Sequence, residues 1–193
     1  NISTDKAVYP SNIMGASKRL CEKFIQQIAK SESGTNFSIV RFGNVLGSTG
    51  SVVPIFENQI NSNNEITITH PKVKRYFMTI REAVELVLIS SQIKNSKNGN
   101  IFILEMGKPV FIKDLAKKMV SLSGKDIKSI KIKYTGLRKG EKLDELLFFS
   151  EEKITKTEIN GILCTTTRSF QTDMQKFEDF IKKVSENKNE ALV

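Results

Sequence analysis

Ser3-Thr4-Asp5-Lys6-Ala7-Val8-Tyr9-Pro10-Ser11-Asn12-Ile13-Met14-Gly15-Ala16-Ser17-Lys18 is the stretch on which the fold turns. It sets a hydroxyl, a carboxylate and an amine in three consecutive positions, Thr4, Asp5 and Lys6. Pro10 interrupts the backbone, because it lacks an amide proton and disfavours helix in the residue before it. Ser11 or Asn12 is then placed to cap a helix. Ile13, Ala16, Leu20, Phe24, Ile25 and Ile28 follow at helical spacing, with Met14 and Lys18 one above the other on a single face. Upstream, Asn1 to Thr4 reads as the end of a buried strand. Polar groups at a strand end, opposite a helix that presents a lysine, are how many open α/β sheets build a reaction site. The expected fold class is α/β.

Three further motifs follow in order: Val40-Arg41-Phe42-Gly43-Asn44-Val45-Leu46-Gly47-Ser48, then Thr69-His70-Pro71 with Arg75-Tyr76-Phe77-Met78-Thr79, then Gly136-Leu137-Arg138-Lys139-Gly140-Glu141-Lys142-Leu143. With these motifs the chain resembles the extended short-chain dehydrogenase/reductases, whose signature is Tyr-x-x-x-Lys on a helix. More closely, it is similar to the nucleotide-sugar 4,6-dehydratases of bacterial polysaccharide and glycan biosynthesis, of the UDP-N-acetylglucosamine type. Met14 stands in the tyrosine slot, as in one branch of that group, and Lys139 stands where the family usually has proline.

The resemblance implies the carboxyl-terminal part of a Rossmann-type sheet plus a small mixed α/β substrate-binding lobe over residues 1–150. Residues 151–193 are expected to form an extension. The family's glycine-rich dinucleotide turn lies upstream of the Ser-Thr-Asp-Lys stretch, and no such turn occurs in these residues. The chain thus reads as a piece cut from a longer protein, lacking most of the cofactor pocket and inactive alone.

Composition agrees with a globular protein. The 193 residues are 39% hydrophobic and 26% charged, enough for a sizeable core. No apolar run approaches the ~20 residues of a membrane span, and Glu85 interrupts the candidate from Ala83 to Ile89. No signal-peptide pattern opens the chain. The expected location is cytoplasmic, with the parent protein anchored to the inner membrane by upstream helices in many relatives. Cys21 and Cys164 form neither a disulfide framework nor a metal pair, and Cys21 reads as a small buried side chain. A net charge of +9 invites a nucleic-acid reading. The lysines, however, are dispersed among acids without interleaved aromatics, so a solvated surface is expected and no nucleic-acid partner.

Periodicity gives the remaining elements. Helices are expected over 11–31, 53–60, 80–93 and 112–122, with a last amphipathic one over 174–184. Strands are expected over 37–41, 66–69, 75–79 and 101–104. Ile127 to Tyr134 reads as an edge strand with one wet face. Residues 151–167 read as turn-like.

The family reaction is an internal redox cycle on a UDP-N-acetylhexosamine. The 4-hydroxyl is oxidised by NAD or NADP, the proton on carbon 5 is thereby acidified, water leaves from carbon 6, and the hydride returns there. By resemblance Lys18 holds the nicotinamide ribose, Asp5 is a proton shuttle for the 6-hydroxyl, Lys6 the base at carbon 5 and Thr4 a hydrogen-bond partner of the 4-hydroxyl. An exchange of roles between Asp5 and Lys6 would leave the same sequence. Met14 has no ionisable proton, so its side chain is left to packing. Asn44 is expected at the substrate, and Val45, Leu46, Gly47 and Ser48 along the nicotinamide. Val52, with Val53, Pro54 and Phe56, forms either an apolar wall near the uracil or the start of a packing helix. Arg75 and Arg138 suit the diphosphate and ribose, since a guanidinium makes two parallel hydrogen bonds and stays charged. Glu141 is oriented to ribose hydroxyls or to the arginine, Thr69 is a weaker substrate contact, and His70 is a turn residue. No metal site is expected.

The expected activity of the parent, a homo-oligomer, is UDP-N-acetylglucosamine 4,6-dehydration to a 4-keto-6-deoxy sugar nucleotide for capsule, O-antigen or glycan assembly. The alternatives are a nucleotide-sugar 4-epimerase or reductase of the same superfamily, and a non-catalytic sugar-nucleotide-binding module.

Overall fold

Two apolar cores organise the computed structural model, one under a five-stranded sheet and one inside a smaller lobe. The structure describes residues 1–166, apart from 32, 33, 49, 63 and 94–97, together with 175, 176, 179, 182 and 183. The expected helix over 174–184 lies outside the described residues but for those five.

The sheet runs in the order β1 (Ile2–Thr4), β2 (Ser38–Phe42), β7 (Asn100–Leu104), β11 (Ile162–Thr166) and β10 (Lys153–Lys156). β1, β2 and β7 are parallel, with Ser3 opposite Arg41 and Thr4 opposite Phe42, whereas β11 and β10 add antiparallel. Helix α1 (Ile13–Ser31) lies against β1 and β2, and α3 (Ile80–Ser90) also meets β2. Side chains alternate along β2. Val40 joins Phe102, Leu104, Ile162 and Cys164 in the core beside α3, with Ala83, while Arg41 turns to α1.

The lobe is built from α2 (Val52–Ser62), β4 (Glu65–Ile68), α4 (Ile112–Leu122) and β9 (Lys131–Tyr134), with β4 and β9 parallel. Phe56, Ile60, Ile66, Ile68, Ala116 and Val120 fill it. Two short pairings join lobe to sheet: β3 (Asn44–Val45) beside β6 (Phe77–Met78), and β5 (Lys74–Arg75) beside β8 (Val110–Phe111). α3 starts on a reciprocal cap between Thr79 and Glu82, which satisfies amides that a helix start leaves unpaired.

Several expectations need correction. Residues 151–166 are not turn-like: they form the hairpin β10–β11, which completes the main sheet. The 75–79 strand is two short ones separated by Tyr76, and 127–129 is a 3-10 turn ahead of β9. On α1 the buried positions are Gly15, Glu22 and Ala29, whereas Ile13 stands 88% exposed. Cys21 is exposed, not buried.

Phe102 is sealed in the main core, while Leu122 lies 78% exposed at the end of α4. Phe102→Ala should lower unfolding free energy by about 3–5 kcal/mol through lost burial and a cavity. Leu122→Ala should stay within about 0.5 kcal/mol. Equilibrium urea denaturation of both variants measures the contrast.

Candidate functional site

The carboxyl ends of β1 and β2 carry the polar groups of the first two motifs. After Thr4 the chain makes a 3-10 turn over Asp5–Ala7, capped by the Thr4 hydroxyl, which accepts from the Lys6 amide. The Asp5 side chain is fully buried. Its Oδ1 accepts from Thr4 Oγ1 at 2.9 Å and from Lys6 Nζ at 2.9 Å, while Oδ2 has no hydrogen-bond partner among the described residues. Lys6 Nζ also donates to Asn44 Oδ1 at 2.9 Å. One ammonium therefore bridges the groups beyond β1 and β2, and Lys6 keeps 24% of its side chain exposed toward a cleft of about 290 Å³.

That cleft lies between the start of α1 and the loop after β9. Lys6, Asn12 and Met14 line one side; Thr69, Arg75, Arg138, Lys139, Gly140, Glu141 and Glu145 line the other. Asn12 caps α1 by accepting from the Gly15 amide at 2.8 Å. Ser11 Oγ and Asn12 Nδ2 both donate to the Gly140 carbonyl, pinning the loop to the helix start. Gly15 and Gly140 are required there. A Cβ on Gly15 would collide with the Lys6 carbonyl, and one on Gly140 would come within 2.6 Å of the Ser11 carbonyl oxygen, at a φ of +77° that side chains rarely adopt.

Glu141 organises the far wall. Its Oε1 accepts from Thr69 Oγ1 at 2.7 Å and lies 3.4 Å from Arg75 Nη2, and its Oε2 accepts from the Arg138 amide. Among the described residues the Arg138 guanidinium makes no hydrogen bond or ion pair, so its fork is free for a ligand. Four cations, Lys6, Arg75, Arg138 and Lys139, line this cleft together with the two carboxylates Glu141 and Glu145, which suits an anionic ligand with phosphate oxygens.

Behind the cleft lies a buried charge cluster. Arg41 is fully buried in β2, and its guanidinium donates to both Glu22 oxygens at 2.7 Å and to Glu152 at 2.8 and 3.1 Å. Glu22 also accepts from Ser3 Oγ at 2.6 Å and Arg19 Nη1 at 2.8 Å. Both arginines lie over the Phe149 ring, which meets Tyr9 edge-on. Burial alone would raise the Glu22 carboxyl, but the hydrogen bonds and charge of Arg41, with Ser3 and Arg19, hold it below the usual carboxylate range.

Among the expected site residues, Lys6, Met14, Thr69, Arg75, Arg138 and Glu141 meet at the cleft, with Thr4, Asp5 and Asn44 attached through Lys6. Lys18 is exposed on α1, its amine 3.4 Å from the Ile2 carbonyl oxygen, and does not line the cleft. Neither do Val45, the last residue of β3, or Leu46, Gly47 and Ser48, which follow it. Val52 packs beside the lobe core at the start of α2, which fits the packing-helix alternative. His70 accepts from the Lys72 amide within its turn. Asn12, Lys139, Gly140 and Glu145 were not foreseen, nor were the partners of Arg41. An arginine inside the apolar run Ser-Ile-Val-Arg-Phe was the available signal, since a buried arginine requires carboxylates. Among the described residues no cluster of metal-ligating side chains occurs, and no helix is long and apolar enough to cross a membrane.

Comparison with known proteins gives a consistent picture. A family model for polysaccharide biosynthesis proteins matches residues 1–167. The capsular polysaccharide biosynthesis protein CapD of Staphylococcus aureus is 54% identical over 151 residues, covering 78% of this chain and 25% of its own. A UDP-glucose 4-epimerase of Rickettsia akari is 40% identical over 164 residues, covering 83% and 46%. The chain therefore spans a quarter to just under half of the curated relatives it matches. Among solved structures, Pen from Bacillus thuringiensis superposes with a TM-score of 0.77 at 32% identity, over 94% of this chain and 60% of its own. The dTDP-glucose 4,6-dehydratase DesIV of Streptomyces venezuelae, solved with NAD and TYD bound, shares the fold at a TM-score of 0.66 and 16% identity, over 97% and 59%.

The Glu22 carboxyl sets a pH dependence. Its value in the folded state lies below the unfolded one, so its stabilisation is complete above about pH 4.3 and is lost as pH falls through the folded value. Urea midpoints measured from pH 7 down to 3 should fall on acidification in the native protein. The Glu22→Gln variant should be less stable at neutral pH and should show a shallower acid slope.

Proposed function

Because the chain belongs to the polysaccharide biosynthesis protein family, we propose that the protein carrying it is a nucleotide-sugar 4,6-dehydratase acting on UDP-N-acetylglucosamine. The product, a 4-keto-6-deoxy sugar nucleotide, would feed capsule, O-antigen or glycan assembly. One observation carries this reading: a lysine that bridges a buried carboxylate and an asparagine at the edge of a cationic cleft, where the helix offers a thioether in place of a phenol.

In this reading the diphosphate lies against Arg138 and Arg75, and the hexose reaches Lys6 and Asn44. With its own proton passed to Asp5 across their 2.9 Å contact, the neutral Lys6 amine faces the cleft and takes the proton from carbon 5. Lys6 Nζ then gives a proton to the leaving 6-hydroxyl, and Asp5, sealed behind it, returns the proton it holds to Lys6. Thr4 holds Asp5 in place from the other side. Asn44 fixes the Lys6 amine in register with β2. NAD or NADP fits the flank of the site rather than the cleft. Lys18 stands exposed there, one turn beyond Met14 and beside β1, a strand paired on one edge only among the described residues. Lys18 would hold the nicotinamide ribose, with Val45 to Ser48 alongside. When bound, the dinucleotide supplies the hydride acceptor and donor that the internal redox cycle needs.

A second reading, 4-epimerisation, is favoured by the Rickettsia akari relative. It needs no proton donor at carbon 6, and an epimerase of this superfamily would normally keep tyrosine at position 14. A third, a non-catalytic module that binds sugar nucleotides, requires the cleft alone and leaves the Thr4-Asp5-Lys6 turn without a task.

Incubation of the full-length protein with UDP-N-acetylglucosamine, followed by NMR, should show a 4-keto-6-deoxy product. Unchanged sugar, or sugar inverted only at carbon 4, would overturn the assignment. Asp5→Asn should cost at least ~10²-fold in kcat, the scale of one proton-transfer group. An unimpaired rate would remove Asp5 from the chemistry.

A further inference from the structure

The buried Arg41 cluster touches no part of the cleft, yet it ties together the three segments that form it. Ser3 and Arg41 are directly opposed in the β1–β2 register, and both side chains end on Glu22. Just beyond Ser3 lie Asp5 and Lys6; just beyond Arg41 lies Asn44. Glu22 therefore fixes the two strand ends immediately before the Lys6 bridge closes over them. On the opposite side of the guanidinium, Glu152 accepts from Arg41 and from the Phe149 amide at 3.0 Å. The segment behind Phe149 leads back to Glu145 and Glu141 on the far wall. Lys142 within it donates to the Val8 carbonyl at 2.7 Å.

We infer that Arg41 is the positioning residue of this site, with a divided task. Its Glu22 side sets the Asp5–Lys6–Asn44 constellation, and its Glu152 side sets the 137–149 wall that receives the diphosphate. A guanidinium fork suits this because both edges of one rigid plane are used, and neither contact can shift without the other. The inference deepens the dehydratase reading and rests on it for its kinetic form only.

The two sides separate in kinetics. Glu22→Gln in the full-length protein should lower kcat by about 10- to 100-fold with KM for UDP-N-acetylglucosamine little changed, the cost of misplacing reacting groups by about an ångström. Glu152→Gln should raise KM roughly tenfold, the worth of one charge-assisted hydrogen bond, with a smaller effect on kcat. Arg41→Lys, which keeps the charge but not the fork, should do both. Arg81→Ala, an exposed residue on α3, should do neither. If Glu22→Gln fails to fold, Ser3→Ala removes one bond to Glu22 and should lower kcat in the same direction. Identical losses from both glutamine variants, or loss of folded protein with unchanged constants in the remainder, would reduce the cluster to a stability element and overturn the inference. If the native protein forms no such product, hydrogen exchange read by mass spectrometry still decides. Glu22→Gln should quicken exchange in peptides around 4–6 and 42–46, and Glu152→Gln in those around 137–149. Quickening at the same peptides in both variants, or in neither, would reject the division.

Discussion

A fully charged guanidinium inside the sheet is the constraint to which the rest of the molecule is fitted. An isolated ion of this kind would cost several kcal/mol to bury, and removing one partner of such a cluster leaves an uncompensated charge. Arg41 is tolerated because Glu22 and Glu152 face its two edges, and Arg19, paired with Glu22, offsets the remaining negative charge. The four charges sum to zero within hydrogen-bonding distance. Apolar packing is non-directional and would accept small slips between β2, α1 and the segment ahead of β10. A bidentate fork accepts none, so what the cluster adds is geometry rather than a large net stability.

That geometry is passed on to two different cores. The sheet core beside α3 and the lobe core around Phe56 and Ile66 are separate, and the cleft opens where they meet. The parallel strands β1 and β2 end at this junction, where open α/β sheets gather their ligands. One wall of the cleft supplies Arg75 and Arg138, and the end of the sheet supplies the amine and the carboxylate. Short pairings such as β3–β6 and β5–β8 keep the halves in register without covering the cleft.

Much of this was legible in the sequence wherever the signal was local. The 112–122 helix shows its apolar spacing and terminal glycine, and it forms over those residues. The turn before α1 and the loop motifs announced the cleft. Three features defeated pattern reading. In α1 the buried face is defined by Gly15, Glu22 and Ala29, a set with little hydrophobicity, so the apolar stripe drew attention to the wrong side. The hairpin 153–166 carries one apolar residue, Ile154, in its outer strand and forms because β7 offers an edge far away in sequence. Arg41 failed for the same reason: its partners lie 19 and 111 residues distant, and no local window contains them.

In the proposed dehydratase reading, the replacement of a phenol by a thioether gives a reason for the strand ends to be held so firmly. A tyrosine on α1 would carry its own proton into the cleft on a helix with rigid backbone hydrogen bonds. Met14 brings none. In that reading the proton-bearing groups come from the 3-10 turn after β1, a three-residue element whose own bonds are few. Lys6 has a long, flexible stem and would sample many rotamers there. It is fixed instead by three restraints: Asp5 beside it in the turn, Asn44 at the start of β3 just beyond β2, and the glycine at position 15 that lets α1 close onto its carbonyl. Chemistry placed at the strand end, as proposed, would shift the demand for rigidity onto the β1–β2 register, where Ser3 and Arg41 both bond to Glu22.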